Sequence, residues 1–136
     1  MRYRNCYGQR NKLGNTKVVV DGIEFDSKRE ATRYSALKLM ERVKLISNLE
    51  LQKEFELIPA QREPDTTGKR GGVIKGKVIE RAVRYIADFA YIDNKTGQLV
   101  VEDSKGYRDP ASAEYAKFVI KRKLMLYKYG IRVKEV

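Results

Sequence analysis

The sequence has no histidine, a single cysteine, and no apolar run long enough to cross a bilayer. Without histidine there is no Ser-His or Cys-His catalytic pair, no His-ligated zinc and no imidazole general base. Cys6 alone makes neither an internal disulfide nor a cysteine cluster for zinc. Any catalysis therefore rests on carboxylates, Lys, Arg, Tyr or hydroxyls, and any bound metal is held by oxygen, which suits Mg²⁺ or Mn²⁺. The opening residues Met1-Arg2-Tyr3-Arg4-Asn5-Cys6-Tyr7 lack the apolar core of a secretory signal, so the expectation is a cytoplasmic protein with no membrane partner. Acids are scarce as well: 18 Asp and Glu stand against 29 Lys and Arg, a formal net charge of +11 at pH 7. That balance points to a polyanionic partner, nucleic acid before an anionic membrane surface. At 136 residues the chain suits one domain with a real core, and no internal repeat is visible.

Residues 1–16 form a basic N-terminal arm. Arg2, Arg4, Arg10 and Lys12 stand there without one acid, either as a solvated tail or along a phosphate backbone. Residues 17–136 read as a single domain. Asp21-Gly22 between two β-runs predicts a hairpin. Ser27-Lys28-Arg29-Glu30 fits a capping box and opens a helix to about Arg42. Ala31, Tyr34, Leu37 and, with drift, Met40 or Glu41 form its helical stripe, widened by Leu39 and Val43. Ile46 to Asn48 reads as a connection. The alternation from Leu49 to Pro59 predicts a half-buried strand, with Leu49, Leu51, Lys53, Phe55 and Leu57 on one face. Residues 61–77, rich in Gly and carrying Lys69, Arg70, Lys75 and Lys77, follow no pattern. They read as a basic flexible loop, a mobile excursion or a flap that closes on DNA.

Val78 to Asp93 and Gln98 to Lys105 are extended runs joined by the turn Asn94-Lys95-Thr96-Gly97, so they predict antiparallel neighbours. Asp88 lies six residues before Asn94 and Asp103 six after Gly97, which makes them near-opposite partners. Like charges set opposite each other are destabilising unless something compensates. A cation between them, with Lys105 alongside on the Asp103 face, does so. Glu102 and Ser104 take the other face. Asp109-Pro110 predicts a second helix, to about Tyr129 with Gly130 beyond its end. Lys117 and Lys121 lie on that helix, as a solvated face or along a phosphate track. Tyr115, Phe118 or Val119, Met125 or Leu126, and Tyr129 form its buried side, and Ile131 to Val136 reads as a closing strand.

The order helix, three strands, helix, strand, with Asp88 on one strand and Asp103-Ser104-Lys105 on the next, resembles the PD-(D/E)xK nuclease superfamily. More closely, the Ser-x-x-Glu-Ala helix start, Leu-Gln-x-x-Phe-x-Leu, Tyr-x-Ala-Asp-Phe and Asp-x-Lys-Gly resemble a small phage-borne family of unknown function placed in that superfamily. Two departures stand out: Ala87 occupies the nominal proline position, and Glu102 sits beside the chosen acid. The resemblance covers roughly Gly22 to Glu135. It implies an α/β, restriction-endonuclease-like αβββαβ core with a mixed sheet flanked by two helices. It further implies a Mg²⁺- or Mn²⁺-dependent endodeoxyribonuclease acting on branched or junction DNA in phage recombination or replication, in the host cytoplasm. Asp88, Asp103, Glu30 and the Ser104 backbone carbonyl would hold the metal. Lys105 would orient the attacking water or stabilise charge, and Gln52 would position water or phosphate. Glu30 is therefore a helix cap, a ligand, or both. Cutting both strands of a duplex takes two sites, which admits a homodimer. The other readings are a non-catalytic nuclease-fold DNA-binding or accessory protein, and an RNA binder in which Asp88 and Asp103 have no use.

Overall fold

The computed structural model describes residues 16–105 and 109–136. Two short strands, β1 (Val18–Val20) and β2 (Ile23–Phe25), pair across Asp21-Gly22, whose φ angles of 51° and 77° are those a type I′ turn requires. Ser27 caps α1 (Lys28–Arg42), its hydroxyl accepting the Glu30 N–H at 3.2 Å. Ala31, Tyr34 and Leu37 are the buried face of α1. Leu39 and Val43 do not widen it; they are 60% and 57% exposed. Leu39 lies two residues past Leu37, about 200° around the helix, and so points away from the sheet.

β3 (Ile46–Ile58) starts earlier than its alternation suggests, because Ile46 and Ser47 already pair with Asp93 and Ile92. The 61–77 segment, patternless in sequence, is paired as well. β4 (Gln61–Arg62) pairs with β7 (Val78–Glu80), and between them β5 (Thr66–Thr67) pairs with β6 (Val73–Ile74), which makes a narrow antiparallel ribbon. Its order comes from backbone bonds and from the Asp65 carboxylate accepting the Gly76 N–H at 2.9 Å, not from buried apolar surface.

β8 (Val83–Asp93) and β9 (Leu99–Asp103) follow, joined by a turn in which Gly97 has φ 71°. The second helix, α2 (Ala113–Tyr129), starts later than Asp109-Pro110. Asp109 caps a separate turn, its carboxylate accepting the Ala111 N–H, and Ser112 is the true N-cap, accepting the Tyr115 N–H at 3.1 Å. Gly130 ends α2 in the left-handed conformation. Phe118 and Met125 are buried, whereas Leu126 and Tyr129 stay exposed. The closing strand is only β10 (Lys134–Glu135). The four-stranded sheet has the order β10-β9-β8-β3; β10 runs parallel to β9 and the other pairs are antiparallel. A parallel neighbour needs a crossover, and α2 is that crossover. The sheet and its helices thus follow the order α1-β3-β8-β9-α2-β10: a mixed α/β domain with a mixed sheet and two helices.

The helices cover opposite faces. Phe89 and Tyr91 pack in the cluster of α1's Tyr34 and Leu37, while Ala90, between them, packs with α2's Phe118 and Met125. The alternation is interrupted once. Tyr85 and Ala87 pack on the α2 side, although an unbroken strand would put them on the face of Phe89. β3 changes in step: Leu49 and Leu51 pack toward α1, Phe55 and Leu57 toward α2. Those four residues therefore do not share one face. The pairing stays in register through the change, from Leu51–Phe89 to Lys53–Ala87, so the change falls at the facing residues Gln52 and Asp88. Gln52 has φ 50°, a left-handed residue inside a strand. A non-glycine residue there costs about 1 to 2 kcal/mol.

Candidate functional site

The end of β9 sends two acids to opposite faces. Asp103 faces α2 and is 3% exposed. One of its oxygens accepts the Tyr85 hydroxyl at 2.8 Å, and the other meets the Lys105 ammonium at 2.8 Å. That ammonium also lies over the Phe118 ring, 4.5 Å from its centre. Desolvation, with the Asp103 charge second, pushes the Tyr85 hydroxyl far above its ordinary range, so it stays a donor.

The hairpin register carries Asp88 to this point. β8 and β9 pair as far as Phe89 with Glu102, and the next residues on each strand are Asp88 and Asp103. Asp88 Oδ2 accepts the Ser104 N–H at 2.7 Å. Its Oδ1 has only a long 3.5 Å contact from Gln52 Nε2. Burial first, and then the Asp103 charge, raise the Asp88 carboxyl to about 6; the Ser104 N–H and Lys105 oppose the shift without cancelling it. The Ser104 hydroxyl is buried with no hydrogen-bond partner. Asp88, Asp103, Ser104 and Lys105 are thus together.

Glu30 and Gln52 reach the same region from α1 and β3. A cleft of about 140 Å³ is lined by Asp26, Glu30, Gln52, Asp88 and the rings of Phe25 and Phe89. Ser27 is the cap of the helix, and Glu30 is its partner: the Ser27 hydroxyl accepts the Glu30 N–H and donates to the Glu30 carboxylate at 3.3 Å. It also opens onto the cleft. Burial is the main cause that raises its carboxyl, and Asp103 adds to the effect. Among the described residues no three Asp, Glu or Cys side chains are gathered closely enough to hold a metal ion.

Glu102, on the other face, is saturated. It takes two hydrogen bonds from Arg33 of α1, at 2.6 and 2.8 Å, and a third from the Tyr91 hydroxyl at 2.6 Å. Arg33, Tyr85, Tyr91 and Phe118 are the surrounding residues that sequence reasoning missed as parts of this region. Arg33 lies 69 positions from its partner, with no local signal. The tyrosines were legible only as apolar strand residues.

The basic residues are spread out. Arg2, Arg4, Arg10 and Lys12 lie outside the described residues. Lys69, Arg70, Lys75 and Lys77 are exposed on the ribbon, and on α2 Lys117 is exposed while Lys121 is half-buried. Among the described residues no helix is long and apolar enough to cross a membrane.

The fold and this region define a mixed α/β protein with a buried and a half-buried carboxylate side by side at one sheet end. The chain belongs to the family described as protein of unknown function (DUF1064), whose model matches residues 10–135. No curated protein and no solved structure matches it.

Proposed function

We propose that the chain is a metal-dependent DNA endonuclease of the PD-(D/E)xK type, with a restriction-endonuclease-like core, that hydrolyses phosphodiester bonds. The observation that carries this reading is the meeting of Asp88 with Asp103-Ser104-Lys105: a backbone N–H on the first carboxylate and an ammonium on the second. The donor set fits a hard divalent cation. It is all oxygen, and it includes a half-buried carboxyl raised to about 6 by desolvation and a neighbouring acid, a cost that a cation relieves. Asp88 and Asp103 would hold Mg²⁺ or Mn²⁺, with Glu30 and the Ser104 carbonyl as further ligands. When bound, the ion lowers the pKa of a water and neutralises charge on phosphoryl oxygens.

The chain's own groups have separate tasks. The Ser104 N–H fixes the Asp88 carboxylate. The Tyr85 hydroxyl fixes Asp103 and, because its pKa is so high, keeps its proton. Lys105, steered by Asp103 and Phe118, offers a cation to the attacking water or to transition-state charge. Gln52 aims an amide at the cleft from its strained backbone. The basic arm, the ribbon lysines and arginine, Lys117 and Lys121 would grip phosphates, which predicts salt-sensitive binding with little base readout. Branched or junction DNA in a phage setting rests on the resemblance alone, a cytoplasmic location on the opening residues, and a homodimer on the two cuts that a duplex requires.

The test is cleavage of plasmid, branched and single-stranded DNA with Mg²⁺ or Mn²⁺. Asp88→Ala, Asp103→Ala and Lys105→Ala should each abolish the wild-type activity. Undiminished nicking by all three variants refutes the assignment. A second reading, a nuclease-fold DNA-binding protein that does not cut, draws on two observations. Lys105 already balances the Asp103 charge, and no third acid is near enough to complete a metal site among the described residues. Calorimetric Mn²⁺ titration separates the two, since only the enzyme requires the ion.

A further inference from the structure

Beside α1, away from the Asp88 cleft, two cavities of about 440 Å³ and 720 Å³ lie end to end, sharing Arg33 and Val136 in their walls. Lys28, Arg29 and Arg33 line the first, and Lys44, Lys95 and Lys134 join Arg33 in the second. Two acids, Glu102 and Asp93, also line the second. Glu102 is consumed by Arg33 and Tyr91, Asp93 accepts the Lys95 N–H at 2.8 Å, and Arg29 donates to the Val136 oxygen at 3.0 Å. The side chains of Lys28, Lys44, Lys95 and Lys134 make no ion pair among the described residues. A row of unmatched cations in a concave wall is an anion site, and its length calls for a polyanion. α1 alone is about 22 Å long.

The trough ends at the proposed catalytic centre. Ser104 lines the first cavity with its hydroxyl unpartnered, while its N–H holds Asp88 at 2.7 Å. Each cavity has the volume of a small-molecule pocket, room for about a nucleotide or two and too small to enclose a duplex. We infer that this trough binds the sugar–phosphate backbone of a single nucleic-acid strand and leads it to or from the Asp88–Asp103 site. Among the described residues, none of the basic ones singled out from sequence lines it. The inference rests on the nucleic-acid reading above but not on cutting.

The test uses the full chain carrying Asp88→Asn, without divalent metal, and a fluorescein-labelled oligothymidylate of twelve nucleotides. Adding Lys28→Glu with Arg29→Glu, or Lys44→Glu with Lys134→Glu, should weaken binding by at least about tenfold. The slope of log affinity against log salt should fall by about 0.7 for each phosphate that is no longer neutralised. All four residues are exposed, so the variants keep the fold, which the circular dichroism spectrum and melting temperature check. Lys69→Glu with Arg70→Glu on the ribbon is the comparison and should weaken duplex binding more than oligothymidylate binding. Unchanged oligothymidylate affinity in both trough variants overturns the inference. Strand binding abolished in the trough variants of a protein that never cuts DNA upholds it while refuting the enzyme reading. Cutting with an unaffected trough does the reverse.

Discussion

Glu102 and Asp103 are neighbours on one strand, almost equally buried, and in opposite conditions. Glu102 has an arginine fork and a tyrosine hydroxyl, so its charge is matched and its oxygens are filled. Asp103 has a lysine and a tyrosine but also faces a second carboxylate, and that second acid, Asp88, is held at a pKa of about 6. The first arrangement ties α1 to the sheet. The second leaves unfavourable electrostatics at one point, which is how binding and catalytic sites commonly differ from structural ion pairs. Burial alone does not distinguish them; the partners do.

The comparison breaks most sharply at Glu102. Glu102→Ala leaves the Arg33 guanidinium facing a buried, unpaired Tyr91 hydroxyl and should destabilise the protein by about 3 kcal/mol, read from urea unfolding. The opposite sign is expected at Asp88. Its folded carboxyl keeps a proton between the ordinary 3.8 and about 6, whereas the unfolded chain releases it. The folded state therefore binds more protons in that window, and wild-type stability falls as pH rises through it. Below the window both states are protonated and nothing is lost. Above about pH 6 the loss is complete. Asp88→Asn should thus be more stable than wild type by about 3 kcal/mol at pH 8, with the difference gone near pH 4, as pH-dependent unfolding would show. A smaller effect is expected at Gln52. Gln52→Val puts a β-branched residue at φ 50° and should cost about 2 kcal/mol, whereas Gln52→Gly should be near neutral, because relief of strain offsets the added unfolded-state entropy. Equal losses for the two would mean that the left-handed backbone at Gln52 is not intrinsic to the fold.

Local rules made much of this region legible. The Asp-Gly turn, the Ser27 cap and the terminal Gly130 all depend on a few adjacent residues, and all are present as expected. The turn at 94–97 fixed the hairpin register, and the observed ladder leads to Asp88 beside Asp103. The illegible parts depend on pairings distant in sequence or on backbone conformation without a composition signal. Nothing around Gln52 announces a left-handed residue, so the change of sheet face was invisible, and with it the separation of Leu51 from Phe55. The Arg33–Glu102 pair joins residues 69 apart. The ribbon at 61–80 orders through backbone pairing that its Gly-rich composition hides. The start of α2 moved from Asp109 to Ser112 because two good capping residues stand three apart, and sequence does not rank them.

The decisive question is whether Asp103, and not Glu102, binds a metal ion. Calorimetric titration with Mn²⁺ of wild type, Asp103→Asn and Glu102→Gln asks that directly. Binding by wild type and by Glu102→Gln, with none in Asp103→Asn, is the predicted result. No heat from the wild type, or binding abolished in Glu102→Gln and kept in Asp103→Asn, would contradict it.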